Sequence, residues 1–196
     1  MMLETVTGKL IDVNNPDPAS IDIEDIAWGL SRMPRFCGHT IAAVPPSVAQ
    51  HCIFVSDMIL RHTNNREAAL VGLLHDASEA YIGDIPSPVK RIEEVRIVIK
   101  KIENNLLTII NEKYLGRAIT KEEEETCHFF DKKAQFIEAH HFMMSRGKDW
   151  PGREEHNISL TDLHNYPVIL GSLEANDVFL TKFAFLSNTQ SSNTQP

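Results

Sequence analysis

A histidine and an aspartate stand side by side at His75-Asp76, directly after the apolar run Ala69-Leu70-Val71-Gly72-Leu73-Leu74. The spacing of Ala69, Leu70, Leu73, Leu74 and Ala77 predicts a helix over about Arg66–Tyr81 whose apolar face is central to a core. Burying a charge-bearing pair in such a helix is costly unless its members pair or coordinate a metal. Adjacent helical positions point about 100° apart, so both side chains can serve one ion only at the helix edge. The remaining ligands must come from elsewhere in the chain.

Residues of the right type stand at His51, in Ser47-Val48-Ala49-Gln50-His51, and at Asp131, in His128-Phe129-Phe130-Asp131-Lys132-Lys133-Ala134. Ser47 opens a helix to about His62 with Val48, Cys52, Val55 and Ile59 on one face, and His51 lies within one residue of that stripe. Alone, His51 would read as a core histidine. A second helix, capped by Thr120 with acids in its first turn, continues through Phe130, Ala134, Ile137 and His141. Asp131, Gln135 and Glu138 occupy a neighbouring face of it, where a polar cleft would lie. Together His51, His75, Asp76 and Asp131 suit one or more divalent cations (Co, Mn, Zn, Ni, Fe or Mg), with positions left open for water and a phosphate oxygen. Adjacent His140 and His141 diverge on a helix and read as structural. No Ser-His-Asp arrangement or phosphate-binding glycine loop competes for the chemistry.

Elsewhere the pattern is mostly helical. Residues 1–20 are turn-rich and read as a strand or irregular arm, and Ile23, Ile26, Ala27 and Leu30 give a first helix. Met33-Pro34 and Gly38 end it and leave Arg35–Thr40 in a loop. Gly83–Pro88 reads as a tight turn, Val89 to about Tyr114 as a long helix, and Glu174–Leu186 as the last one. The chain is thus expected to be all-α, one domain over residues 1–186 in a bundle of five to seven helices, followed by a polar tail at 187–196 expected to be disordered.

A length of 196 residues with 42% apolar content fits a single domain. No apolar run approaches the ~18 residues of a membrane span, and the N-terminus lacks a basic-then-apolar signal pattern. A cytoplasmic protein without a membrane partner is expected. The net charge of −8 argues against sequence-independent binding to nucleic acid. Cys37, Cys52 and Cys127 form no C-x-x-C pair and are expected as reduced, buried thiols.

The order H…HD…D over about 80 residues resembles the HD-domain metal-dependent phosphohydrolases, from about Thr5 to Arg146. His75-Asp76-Ala77-Ser78-Glu79 through Gly83-Asp84-Ile85-Pro86-Ser87-Pro88-Val89-Lys90 is similar to the HDxSE…GD[LI]PxPVK segment of the YfbR-like 5′-deoxynucleotidases. Arg35-Phe36-Cys37-Gly38-His39-Thr40 and Ser47–His51 resemble segments of small bacteriophage members, among them the dATP triphosphohydrolases called DatZ that accompany 2-aminoadenine in phage DNA. Cys37 departs from the small or polar residue common there.

These resemblances imply a compact HD-domain helical bundle acting on a small deoxynucleotide. They give Glu79 and Asp84 the handling of the attacking water or the leaving oxygen; Glu79 lies one helical turn from His75. Lys90 and Arg35 would meet phosphate oxygens, with Arg91 and His39 as further contacts. Phe36 and Trp28 would flank base or sugar, though each reads equally well as core. Because the loop matches the phage group better, the expected reaction is dATP plus water to deoxyadenosine and triphosphate, in host cytoplasm if the chain is phage-encoded. The alternatives are a 5′-deoxynucleotidase and a non-catalytic metal or nucleotide binder. Related enzymes associate as dimers or hexamers, so a homo-oligomer is implied.

Overall fold

The computed structural model describes residues 2–188. The N-terminal arm is a small hairpin in which β1 (Leu3–Glu4) pairs antiparallel with β2 (Leu10–Ile11). Thr7 ties it to the body, its backbone N–H and hydroxyl both donating to the Asp25 carboxylate at 2.8 Å. Everything else of regular structure among the described residues is helical, as the periodicity predicts. The first helix, α1 (Ile23–Ser31), is capped by Asp22, which accepts from the Glu24 N–H.

The bundle is built on α2 (Val48–Thr63) and α3 (Arg66–Leu74), whose caps Ser47 and Asn65 accept from the first-turn N–H groups that would otherwise lack partners. The two helices touch at Gly72, where a Cβ would fall 2.5 Å from Ile59 Cδ1, so any larger residue would force the Ile59 side chain to shift. The chain then makes two short pieces, α4 (Glu79–Ile82) and α5 (Ser87–Lys90), and, after an extended Ile92, the long α6 (Glu93–Leu115). A reciprocal Thr120–Glu123 capping box opens α7 (Lys121–Phe142). After a loop come α8 (Leu160–His164) and α9 (Ser172–Ser187). Helices α1, α2 and α3 pack on α9, and α2 and α3 also pack on α7. The buried centre includes Ile26, Leu30, Cys52, Ile59, Leu73, Leu74, Ile110, Ile137 and Phe179. No helix among the described residues is long and apolar enough to cross a membrane.

Two helices differ from their expected bounds. The helix expected over Arg66–Tyr81 stops at Leu74, because His75 Nδ1 donates to Gly72 O at 2.8 Å and the backbone tightens to three-residue steps. These steps are Ala77 N–H to Leu74 O at 3.0 Å, Glu79 N–H to Asp76 O at 2.9 Å and Ala80 N–H to Ala77 O at 3.3 Å. The helix expected from Val89 divides at Arg91-Ile92, where the Ile92 backbone is extended. Helix α8 has no counterpart in the sequence reading. Of the segment expected to be disordered, Ser187 ends α9 and residues 189–196 lie outside the described residues.

Candidate active site

The tightened turn after α3 places His75 and Asp76 at the helix edge, facing α2 and α7. His75 Nε2 lies 3.1 Å from Asp76 Oδ2 and 3.9 Å from Asp131 Oδ1, and His51 Nε2 lies 3.1 Å from Asp131 Oδ1 and 3.8 Å from Asp76 Oδ2. The ligand atoms of His51, His75 and Asp131 all fall within 4.8 Å of one another. The four expected ligands therefore converge.

The surroundings fix how the imidazoles face the site. His75 Nδ1 is held by Gly72 O, leaving a buried Nε2 with no hydrogen-bond partner. His51 Nδ1 lies 3.0 Å from Glu138 Oε1; donation to this carboxylate leaves the lone pair on Nε2, beside Asp131. An orphaned buried nitrogen, a second imidazole oriented by a carboxylate and two aspartates fit a divalent ion. A second cluster of Cys52, His75 and Asp76 has the necessary proximity. Burial pushes the Cys52 thiol up to about 11, however, so it is a poor source of thiolate.

Charge is balanced within the site. Burial alone would raise the Asp131 pKa, but the hydrogen bond with His51 and the charges of His51, His75 and Lys132 hold it below the usual carboxylate range. Asp76 is lowered in the same way, burial being outweighed by His75. Burial opposes protonation of both histidines, yet Asp76 raises His75 well above its ordinary value, and Glu138 with Asp131 raises His51. A cation at this point would replace those protons. Glu79 goes the other way: burial, then the Asp76 and Asp84 charges, push its carboxyl up to about 9, and its buried Oε2 has no partner. Burial and Asp76 also raise Asp84, against the pull of Arg35.

A cleft of about 450 Å³ opens beside this cluster, bordered by Arg35, Phe36, Asp84, Arg91, Lys132, Gln135 and Trp150 among others. Arg35 reaches back to Glu138 Oε2 at 3.2 and 3.4 Å, so it shares with His51 a carboxylate that is fully buried. Lys132 Nζ is 3.6 Å from Asp131 Oδ2. The loop wall is strained: Phe36 and Cys37 have φ of +54° and +53°, a conformation costing about 1–2 kcal/mol per non-glycine residue. It is held shut at its base by Arg35 N–H to Pro46 O at 2.9 Å and, from outside, by Ile41 N–H to Phe142 O at 2.8 Å.

Several expected substrate contacts are placed differently. Trp28 is half-buried under the Arg32 guanidinium, 4.2 Å from its ring centroid, and is not in the cleft. Its place is taken by Trp150, whose ring meets Phe36 edge to face at 6.0 Å. His39 is exposed, away from the lining residues. Lys90 is bound to Glu79 at 3.2 Å and Glu103 at 2.8 Å, whereas Arg91 does line the cleft. Cys37, expected to be buried, is exposed on the cleft wall, while Cys52 and Cys127 are buried. The His140 and His141 rings meet edge to face at 5.5 Å, and His141 Nε2 lies 2.8 Å from Leu163 O.

The sequence reading missed Glu138 as the partner of His51, although its seven-residue spacing from Asp131 on one helix had put both on a polar face. Tyr166, whose hydroxyl donates to Glu138 Oε1 at 3.5 Å, and Trp150 carried no periodic signal.

A helical bundle that brings H…HD…D side chains to one point beside a cleft defines an HD-domain protein. Within that class the chain belongs to the YfbR-like family, described as 5′-deoxynucleotidase YfbR-like, which it matches over residues 37–139. It is 30% identical to the uncharacterized protein YfdR of Escherichia coli over 185 residues, 94% of this chain and 95% of that one. An uncharacterized Rhodobacter capsulatus protein is 38% identical over 87 residues, 43% of this chain and 44% of the relative.

Proposed function

We propose that the protein is a divalent-metal-dependent 5′-deoxynucleotidase, removing the phosphate from deoxynucleoside 5′-monophosphates, with His51, His75, Asp76 and Asp131 holding the metal. The observation that carries this reading is the orphaned, buried Nε2 of His75, aimed into a cluster of imidazole and carboxylate at a cleft of nucleotide size. The family description supports the substrate class. A divalent ion would supply Lewis acidity toward a phosphoryl oxygen and an acidified water.

The chain's own residues do the rest. Glu138 keeps the His51 Nδ1 proton in place. Glu79, whose carboxyl burial and the Asp76 and Asp84 charges push up to about 9, is assigned the general acid that delivers a proton to the leaving 5′-oxygen as the P–O bond breaks. Asp84, on the cleft wall, is assigned the acceptor of the water proton. Lys132 and Arg91 neutralise phosphate oxygens, and Phe36 with Trp150 borders the base or sugar.

Hydrolysis of dATP to deoxyadenosine and triphosphate is the second reading, favoured by the presence of both Arg91 and Lys132 along the cleft. It ranks second because two cations counted toward a polyphosphate, Lys90 and Arg35, are already engaged by the carboxylates of Glu103 and Glu138. The test is a screen of deoxynucleoside mono- and triphosphates with several metals, the products resolved by phosphorus NMR. Orthophosphate from monophosphates at the higher kcat/KM is expected. Tripolyphosphate from dATP at the higher kcat/KM would overturn the monophosphate reading and leave the metal site standing. Metal retention without turnover of either class would make the protein a binder.

A further inference from the structure

On α7, Asp131 stands at the metal end of the cleft and Gln135 one helical turn further along, a rise of about 6 Å. Gln135 is half-buried and lines the cleft together with Phe36 and Trp150, the two rings assigned to base or sugar. Its carboxamide has a fixed orientation. Lys132 Nζ lies 3.2 Å from Gln135 Oε1, and an ammonium has only protons to offer, so the amide oxygen faces the lysine and the NH2 faces away from it. Among the described residues Nε2 has no hydrogen-bond partner, which leaves two N–H donors free at the cleft wall. Ser87, also on the wall, carries a hydroxyl that donates and accepts alike, and the Trp150 indole can only donate.

Resting on the deoxynucleotide reading above, we propose that Gln135 is a specificity-determining residue that selects bases with a carbonyl at the edge it meets. These are guanine through O6 and thymine through O4, taken in preference to adenine and cytosine, which present amino groups there. A free glutamine suits adenine, accepting from N6 while its NH2 donates to N7. Here that pairing is blocked, because Oε1 already accepts from a cation whose charge opposes the approach of another N–H to the same oxygen. The donors that remain recognise an acceptor. An amino group brought to the same point sets donor against donor and leaves both unsatisfied, the costly case for polar groups withdrawn from water. Lys132 thereby acts on specificity through Gln135, in addition to its place 3.6 Å from Asp131 Oδ2.

The test is kcat/KM of the full chain, loaded with Mn or Co, for dGMP against dAMP and for dTMP against dCMP, each pair matched in ring size. Circular dichroism confirms that each variant folds. The carbonyl base is expected to lead in both pairs by roughly three- to tenfold, the worth of one hydrogen bond. Gln135→Glu keeps one oxygen for Lys132 and offers a second acceptor where the NH2 stood, and should reverse both ratios. Gln135→Leu should bring them to near unity. Lys132→Met frees Oε1 and should move the purine ratio toward dAMP even as turnover of all four nucleotides falls. Equal rates within each pair for the wild type, or ratios that Gln135→Glu leaves unchanged, would overturn the proposal and leave the nucleotidase reading intact. So would a loss in Gln135→Leu that is uniform over the four bases, the mark of an amide serving the sugar. Turnover of none of the four would overturn the nucleotidase reading instead. Calorimetric Kd values of the same nucleotides then carry the comparison, and equal or undetectable binding overturns the proposal as well.

Discussion

Glu138→Gln tests whether the buried network behind the candidate metal site is an orienting device or only a structural one. The Glu138 carboxylate is fully buried and serves His51 at 3.0 Å, Arg35 at 3.2 and 3.4 Å and the Tyr166 hydroxyl at 3.5 Å. An amide there removes the charge that faces Arg35 and leaves a buried guanidinium uncompensated, a loss of about 3–5 kcal/mol where one partner of a buried pair is removed. That is a large share of the 5–15 kcal/mol total stability typical of a domain. The same change weakens the hold on the His51 Nδ1 proton, and loss of such an orienting partner costs roughly 10- to 100-fold in metal affinity. The two effects separate in Glu138→Gln with Arg35→Met, which removes the stranded charge as well. The double variant should recover much of the denaturant midpoint while its affinity for Mn or Co, measured by chelator competition, stays low. Wild-type metal affinity in a folded Glu138→Gln protein would refute the orienting role. Recovery of affinity together with stability would show that only the unpaired charge mattered.

Replacing His75 or Asp131 with alanine should abolish metal retention and turnover together, read by metal analysis of the purified variants; full occupancy with normal turnover would remove the site assignment. Glu79→Gln should retain metal while losing roughly 10²-fold or more in kcat, the scale of general acid–base catalysis. Glu79 also predicts a pH effect in chelator-treated protein: burial and the Asp76 and Asp84 charges push its folded pKa up to about 9 from an ordinary 4.5, so its contribution to stability is fully present below 4.5 and is lost as pH rises toward 9. Thermal melts should fall over that window in the wild type and fall less in Glu79→Gln; parallel curves would contradict the assignment. Trp150→Ala should raise KM for deoxynucleotides with kcat nearly unchanged, by the about 1–3 kcal/mol of a base stacked on an aromatic ring; an unchanged KM would take Trp150 out of the substrate site.

The helices and the candidate metal cluster were legible because they depend on local and periodic information. Apolar spacing fixes which face of α2, α3 and α7 is buried, Ser47 and Thr120 mark where helices begin, and a charged pair beside a core helix demands partners of a few kinds. His51, His75, Asp76 and Asp131 followed from that demand, and the family resemblance added Glu79 and Asp84. The order of residues does not say which polar groups face one another across the bundle. Glu138 lies 87 positions from His51 and 103 from Arg35, and only the packing of α7 against α2 and the Arg35 loop brings them to one carboxylate. Lys90 reads as a phosphate ligand in a linear motif, but folding places the Glu103 carboxylate within 2.8 Å and claims its charge. Trp28 and Trp150 could not be told apart by sequence, since an aromatic side chain buries apolar area equally well in a core or a cleft. The loop from Trp150 decides between them by closing on Phe36, a contact 114 positions apart set by tertiary packing alone.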